Sequence, residues 1–281
     1  MEPHVFFAVL AAAAMHASWN ALLKLRLEPF LVMTLMTGMA GLAGLPAMLA
    51  FGAPKFAAWP WLIASVILHL GYYFVLSAAY ARADMSQIYP IARGGAPLAT
   101  ALLSMFWLGE DISAAQLGGV ALLASAVAAL SIVGRRRGTP FDHRAIAFAL
   151  ATAAIICAYT LVDGIGARAA GDPHAYASTL FVVDGIPLPL VALWLRGRAG
   201  LAPLKTYLVP GFVGGALSLG AYWIAIWAMT VAPIGLVAAL RESSVLFAAI
   251  IAVVFLKEPL QAGRVAAAII ILIGVALIRL G

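Results

Sequence analysis

The sequence predicts an all-α integral membrane protein with ten transmembrane helices, arranged as two inverted five-helix repeats. The first observation is composition: 65% of the 281 residues are hydrophobic and 10% are charged, whereas about a quarter of a soluble domain is charged. The second is segmentation, because ten apolar stretches can be marked, each near the roughly 20 residues that a helix needs to cross a bilayer. The third is an internal repeat that relates the two halves of the chain.

The ten apolar stretches are predicted to be helices. They are rich in Ala, Leu, Val and Ile and lack the period-2 alternation of barrel strands. The first has no basic segment before it, so we expect a permanent span and not a cleaved signal peptide. The predicted spans are 4–23, 29–52, 58–81, 86–108, 113–133, 143–162, 174–196, 206–231, 234–256 and 261–280.

Glycines recur within these spans at the spacing of helix contacts. Because small residues let helix backbones approach closely in lipid, they predict tight helix–helix packing. Two groups have this spacing: Gly38, Gly41 and Gly44, and Gly211, Gly214 and Gly215.

The internal repeat emerges when the chain is aligned with itself at a shift of 148 residues. Arg93 then falls on Arg241, and Glu110 falls on Glu258. These matches carry weight because arginine is rare inside membrane helices. Five spans per half is an odd number, so the second half enters the membrane from the opposite side, which is a recurrent plan of secondary transporters.

The longest polar break lies almost at the centre of the chain. It reads GRRRGTPFDHR and covers 134–144. We therefore predict a first five-helix repeat at 1–134, a basic linker at 135–142 and a second repeat at 143–281.

Composition and motifs exclude several classes of protein. The net charge is +6, but the basic residues lie mostly between apolar runs and act as topology determinants, so no nucleic-acid partner is expected. The only cysteine, Cys157, is inside an apolar run, which excludes a disulfide framework and a cysteine metal site. No GxSxG, HExxH or paired DxxxD motif is present, so we expect no enzyme, no cofactor and no metal.

Basic residues also bear on orientation. One side of the predicted membrane carries only Lys55, Arg168 and Arg279. Since cytoplasmic loops are enriched in Lys and Arg, this count predicts that both termini lie outside the cytoplasm. The opposite, basic side collects Lys24, Arg26, Arg82, Arg135, Arg136, Arg137, Arg144, Arg196, Arg198, Lys205, Lys257 and Arg264.

The repeat, the short loops and the paired LGED and LKEP turns resemble the EamA branch of the drug/metabolite transporter superfamily. HASWNALLK at 16–24 is similar to the first-helix motif of such proteins, and LRESSVLFAAIIAVVFLKEPLQAGRVAAAIIILIGVAL at 240–277 is similar to their last two helices. This resemblance covers essentially the whole chain. It implies a ten-helix basket in the bacterial inner membrane, with helices 1, 3, 4, 6, 8 and 9 around a central cavity. It also implies transport of small metabolites, commonly amino-acid export and in some members drug export.

The sequence departs from relatives in two respects. Members are generally drawn with cytoplasmic termini, which conflicts with the Lys/Arg count, so orientation stays open. Small four-helix relatives couple to protons through a glutamate in the first helix, whereas this first span has only His16 and Asn20. Glutamate-type coupling, and with it cationic-drug export, is therefore in doubt.

Polar residues inside the spans are candidates for the cavity because they are expensive in hydrocarbon. In span 1, His16, Trp19 and Asn20 share one helix face. We expect Asn20 to bond a solute and His16 to titrate near neutral pH and carry a coupling proton. The alternative is that His16 and Asn20 bond neighbouring backbones and hold helices together.

Spans 3 and 8 contribute aromatic residues with polar edges. Tyr72, Tyr73, Tyr222 and Trp223 lie deep in their spans, where they suit a pocket that stacks on a ligand and also bonds it. His69 and Ser218 lie in the same two spans. The alternative for such aromatics is a belt at the membrane surface.

Span 4 places Tyr89 and Arg93 beside two prolines, Pro90 and Pro97. Each proline removes a helix hydrogen bond, and freed backbone groups are tolerated only against protein or water. This pattern predicts that Arg93 borders a wet cavity. The alternative is that its long side chain snorkels to the membrane surface.

Span 9 carries Arg241, Glu242 and Ser244 in ALRESSV. Arginine grips a carboxylate or phosphonate through two parallel hydrogen bonds, and Glu242 is expected to hold an ammonium group or a coupling proton. Asp163 is placed at the end of span 6, which favours a solvated helix end. Asp184 stands in VVDGIP, where a turn or a break of span 7 is expected.

Together these features favour a secondary-active exporter of amino acids or related carboxylate and zwitterionic solutes. The driving force would be a proton or an exchanged solute, since no ATP-binding motif is present. Its partners would be a small solute and membrane lipid, and the oligomeric state stays open. Two alternatives remain: a multidrug or organic-cation exporter, and a membrane-assembly or sensing partner that transports nothing.

Overall fold

A computed structural model describes residues 1–22, 27–80, 85–133, 143–254, 257 and 262–281 of the chain. These residues are about 90% helical and contain no strand, which confirms the all-α prediction. The predicted linker 135–142 and Glu258 lie outside them. The α-helices are α1 Pro3–Leu22, α2 Pro29–Phe51, α3 Trp59–Tyr80, α4 Met85–Leu108, α5 Ala114–Val133, α6 His143–Ala169, α7 Pro173–Asp184, α8 Pro187–Gly200, α9 Leu208–Val231, α10 Ile234–Arg241, α11 Ser244–Val254 and α12 Ala262–Leu280.

Seven helical stretches of the described residues are long and apolar enough to cross a membrane. Large apolar side chains such as Phe7, Trp107 and Trp194 are exposed on the outside of the bundle, as expected for a surface that faces lipid. The chain is therefore a multi-pass membrane protein. The seven stretches are Pro29–Phe51, Phe56–Leu76, Ile146–Ala169, Pro173–Gly200, Ala202–Val231, Ile234–Val254 and Ala262–Leu280.

The predicted break in span 7 is confirmed. Helix α7 ends at Asp184 and α8 begins at Pro187, since a proline cannot donate a helix hydrogen bond and is favoured in a first turn. The break leaves Asp184 at a helix end in the interior of the bundle.

A second break, at 242–243, divides the predicted uninterrupted span 234–256 into α10 and α11. There the backbone bonds tighten to the i−3 spacing: Glu242 N–H bonds Ala239 O at 3.0 Å and Ser243 N–H bonds Leu240 O at 3.1 Å. The Ser243 hydroxyl donates to the same Leu240 carbonyl at 2.7 Å, which competes with the regular helix bond. The predicted span is present as the stretch Ile234–Val254, but the interruption inside it was not predicted.

The glycine pattern confirms its prediction of close helix contacts. A Cβ built on Gly41 would lie 2.9 Å from the Phe181 carbonyl oxygen of α7, and one on Gly215 would lie 2.7 Å from the Ala40 backbone nitrogen of α2. Helix α2 therefore packs tightly against both α7 and α9. This packing brings α2, before the central polar break, against two helices that follow it.

One end of the bundle is held by a polar cluster, which we call the Glu110–Arg168 contact. Arg168 Nη2 lies 2.5 Å from Glu110 Oε1, and Arg168 Nε donates to Met229 O at 2.9 Å. Glu110 Oε2 accepts the Ile234 backbone N–H at 2.7 Å. The cluster joins the turn after α4, the end of α6 and the turn between α9 and α10.

Candidate functional site

A cavity of about 120 Å³ lies in the interior, between helices that precede residues 134–144 in the sequence and helices that follow them. Eight helices supply its walls: α1, α2, α3, α4, α6, α7, α9 and α10. Its lining combines aromatic and apolar surface with a few polar groups, which is typical of a small-molecule site. The lining residues are His16, Trp19, Met33, Met36, Thr37, Ala40, His69, Tyr72, Tyr73, Arg93, Tyr159, Leu180, Phe181, Asp184, Ser218, Tyr222 and Arg241.

Two buried charges of the site, Arg93 and Glu242, form a two-point ion pair. Arg93 Nη2 lies 2.9 Å from Glu242 Oε1, and Arg93 Nε donates to Glu242 Oε2 at 3.2 Å. Both residues are buried. One edge of the Arg93 guanidinium is therefore committed to a protein carboxylate, which links α4 to the break after α10.

Arg241 has a different environment, although it follows the same repeat pattern. Its guanidinium carbon lies 4.7 Å from the centre of the Tyr222 ring, within the range of a cation–π contact. Among the described residues, no carboxylate lies within ion-pair distance of Arg241. The side chain is half-buried and lines the cavity.

Two further carboxyl groups lie in or behind the cavity wall. Asp184 lines the cavity and accepts a hydrogen bond from the Tyr73 hydroxyl at 3.0 Å. Asp163 is fully buried and accepts hydrogen bonds from Tyr176 and Tyr222. The prediction of a solvated helix end for Asp163 was wrong, because α6 continues to Ala169 and carries Asp163 into the interior.

The polar face of α1 is only partly in the cavity. His16 and Trp19 line it, and the Trp19 indole N–H donates to His16 Nδ1 at 3.3 Å. That nitrogen acts as an acceptor, so a neutral ring carries its proton on Nε2. Asn20 is absent from the lining and donates to the His16 carbonyl of its own helix at 2.8 Å, a bond that joins it to no other helix.

Two predicted residues, Trp223 and Ser244, lie outside the cavity wall. Trp223 donates to His174 Nδ1 at 2.8 Å and packs against Phe51. Ser244 is buried at the start of α11. Tyr89 belongs to α4, but its side chain lies outside the described part of the structure. The binding roles assigned to these residues stay predictions.

The cavity also contains residues that were not predicted to bind a solute. Helix α2 contributes Met33, Met36, Thr37 and Ala40, and α7 contributes Leu180 and Phe181. In a membrane helix, the apolar residues of a cavity wall and those of a lipid-facing surface have the same composition, so the sequence does not distinguish them. Tyr159 lies three residues before the end of the predicted span 6, and its ring centre is 4.4 Å from that of His69.

The arrangement is suited to binding a small charged solute. Its charged groups are two guanidinium groups and the carboxyl groups of Glu242 and Asp184, with Asp163 behind Tyr222. No cluster of three His, Cys, Asp or Glu residues that could hold a metal occurs in the described part of the chain.

Comparison with known proteins finds one similar fold and one family match. A solved crystal structure superposes with a TM-score of 0.78 at 20% identity, over 98% of this chain and 95% of that one, which shows a shared fold. No curated protein sequence matches the chain. The EamA-like transporter family matches residues 143–280. Residues 143–280 are therefore similar to the EamA-like transporter family.

Proposed function

We propose that this protein is a secondary-active transporter that exports amino acids, or related carboxylate-bearing zwitterions, across the bacterial inner membrane. In this proposal ten helices form two inverted five-helix repeats, which expose the cavity to each side of the membrane in turn. The observation that carries the proposal is the Arg241 guanidinium, which lines the cavity with no protein carboxylate in ion-pair distance among the described residues.

A solute carboxylate is the natural partner for this guanidinium. Its planar fork matches the two oxygens of a carboxylate, and a buried charge is costly unless it is paired. Arg93 is less suited to binding a solute carboxylate, because Glu242 already pairs with one edge of its guanidinium. Arg241 is therefore the anion-binding arginine of the pair.

Asp184 supplies the matching site for a solute ammonium group. It lines the same cavity, and its carboxyl accepts a hydrogen bond from the Tyr73 hydroxyl. A carboxyl oxygen accepts more than one hydrogen bond, so Asp184 retains capacity for an ammonium donor. A zwitterion would pair with Arg241 and Asp184 together.

The helix breaks support a transport role. Asp184 ends α7 before a two-residue interruption, and Arg241 ends α10 before another. Interrupted helices at a central site are typical of transporters, because irregular backbone in a membrane is tolerated where it lines a cavity. Both candidate solute groups thus lie at such interruptions.

A matched ligand series tests the proposal. L-leucine carries both charges, L-leucinamide lacks the carboxylate, and 4-methylpentanoate lacks the amine; a second series uses L-alanine, alaninamide and propionate. We expect the zwitterion to give the largest thermal shift of the purified protein in each series. Arg241→Ala should remove its advantage over the amide, and Asp184→Asn its advantage over the simple acid.

Transport itself is measured with the same compounds. Liposomes that contain the protein should exchange radiolabelled zwitterion for unlabelled zwitterion, and Arg241→Ala should abolish the exchange. Preference for the amides in both assays would instead indicate an organic-cation exporter. Binding with no movement of any solute under any gradient would contradict a transport role.

A further inference from the structure

Asp163 is a buried carboxyl group that the proposed solute contacts do not use. It has no exposed surface, and each of its oxygens accepts a hydrogen bond. Tyr176 donates to Oδ1 at 3.0 Å and Tyr222 donates to Oδ2 at 2.5 Å. The three residues belong to α6, α7 and α9, so the carboxyl joins three helices behind the cavity wall.

Tyr222 connects this carboxyl to the cavity. Its hydroxyl bonds Asp163, while the face of its ring carries the Arg241 guanidinium at 4.7 Å. The ring of Tyr222 therefore lies between a buried acid and the arginine that we assign to the solute carboxylate.

We propose that Asp163 is a positioning residue that acts through Tyr222 to hold the Arg241 guanidinium in place, and so sets the affinity for a solute carboxylate. This inference rests on the proposed function. Asp163 touches no solute in this scheme, and Tyr222 transmits its effect.

The first physical reason is restraint of the ring. Phe181 and Tyr159 each pack against the Tyr222 ring with centres 6.1 Å apart, at 75° and 84° to its plane. Apolar contacts of this kind hold a ring in place but give it no directed bond. A hydrogen bond to a carboxyl is directional and is strengthened when the acceptor is charged, so it fixes the direction of the ring axis.

The second reason is electronic. A phenol that donates its proton toward a carboxylate gains electron density, since hydrogen bonds in a low-dielectric interior polarise their partners. A richer ring attracts a guanidinium more strongly. Asp163 therefore strengthens the cation–π contact as well as aligning it.

Two single substitutions separate this role from plain stability. Tyr222→Phe and Tyr176→Phe each remove one hydroxyl from the same carboxyl, but only Tyr222 touches Arg241. We expect Tyr222→Phe to weaken L-leucine binding about tenfold, to leave L-leucinamide binding unchanged, and to have no further effect on an Arg241→Ala background. Asp163→Asn should act in the same direction, and its effect should not add to that of Tyr222→Phe. Tyr176→Phe should change neither affinity by more than about twofold.

A readout without any solute keeps the inference testable if the leucine series does not bind. Phenylglyoxal modifies accessible arginines, and mass spectrometry of the peptide that contains Arg241 gives its rate. We expect faster modification in Tyr222→Phe and Asp163→Asn than in wild type or Tyr176→Phe. Equal rates in all four proteins would overturn the inference, as would an equal loss of leucine affinity in Tyr222→Phe and Tyr176→Phe. Absence of binding in wild type, with the expected order of modification rates, would sink the proposed solute and leave the positioning role standing.

Discussion

At the scale of single residues, the Arg93–Glu242 pair has the clearest energetic role. Both side chains are less than a tenth exposed, and they meet through two contacts. Taking two charges out of water is expensive, and their attraction offsets that cost only when the geometry is good. Loss of one partner leaves the other charge buried and unpaired, whereas loss of both leaves no unpaired charge at this position.

We therefore expect the single variants Arg93→Met and Glu242→Leu each to lower the free energy of unfolding by about 3–5 kcal/mol. The double variant should be markedly more stable than either single one, since neither member of the pair is left without its partner. Reversible unfolding in SDS, monitored by tryptophan fluorescence, measures all three proteins. Additive losses in the double variant would contradict a paired role for these residues.

Intramembrane charge is also the part of the site that the sequence predicts best. Arg93 and Arg241 both line the cavity, because an arginine inside an apolar span needs water or a partner. The sequence does not predict that Glu242 is the partner of Arg93. The two residues are 149 positions apart, and the spacing of residues along one helix does not show which residues of another helix they contact. Asp163 shows the converse, since its role depends on two tyrosines from other helices.

At the scale of helices, the crossing of α2 and α7 controls the shape of the cavity wall. Gly41 and Gly185 meet there so closely that a Cβ on Gly185 would lie 2.8 Å from the Gly41 Cα. Helix α7 carries Phe181 and Asp184, both of which line the cavity. A side chain at Gly41 would therefore push these two residues away from their present positions.

We expect Gly41→Ala to lower the free energy of unfolding by about 1–3 kcal/mol through overpacking, and to weaken binding of L-leucine. Gly71→Ala is the matched control, because no atom lies within 4 Å of the Cβ position at Gly71 in α3. Both changes gain the same intrinsic helix propensity, about 1 kcal/mol, so their difference isolates the contact. SDS unfolding and the leucine thermal shift measure it, and equal behaviour would rule out the close crossing.

Helix boundaries explain where sequence reasoning fails at this scale. The end of the apolar run predicts that span 6 ends at residue 162, yet the polar residues from Asp163 onward continue α6 to Ala169. Their polarity is satisfied inside the bundle by Tyr176 and Tyr222 and at its end by the Glu110–Arg168 contact. The break after Arg241 is not predictable from the sequence, because no proline or glycine lies beside it. The break after Asp184 is predictable, because Gly185 and Pro187 follow that residue.

At the scale of the whole molecule, contacts assign basic residues to the two ends of the bundle. Arg279 Nη1 donates to the Met1 carbonyl at 3.2 Å. The His4 ring lies 6.1 Å from the Trp227 ring of α9, Arg168 bonds Met229 of the same helix, and Lys55 N–H bonds Ala170 O at 3.1 Å, so the termini share an end with Lys55. The other end carries the Arg196–Glu28 ion pair. The positive-inside rule then predicts that the end with Arg196 faces the cytoplasm.

Thiol labelling in intact cells tests this orientation. In a Cys157→Ala background, a cysteine at His4 should react with an impermeant maleimide, whereas one at Arg198 should react only after the membrane is opened. Both side chains are exposed, so accessibility within the protein does not limit either reaction. The reverse labelling pattern would support cytoplasmic termini and contradict the Lys/Arg count.

Alternating access requires that one end of the bundle open when the other closes, and the Glu110–Arg168 contact holds the end that carries the termini. The cavity lies nearer the other end, since α2 lines it with residues 33–40 from its first half. If the proposed mechanism holds, this contact must break in every transport cycle. A covalent link in its place should therefore stop transport without abolishing binding from the other end.

We expect this result from cysteines at Glu110 and Arg168 in the Cys157→Ala background, joined by a cleavable bifunctional thiol reagent. Exchange of radiolabelled L-leucine in liposomes should fall to background after cross-linking and recover when a reductant cleaves the link, while the leucine thermal shift persists throughout. Each single-cysteine variant, treated with the same reagent, controls for the loss of the ion pair and for modification alone. Continued exchange in the fully cross-linked protein would show that this end does not open, because a covalent tether cannot separate as an ion pair can.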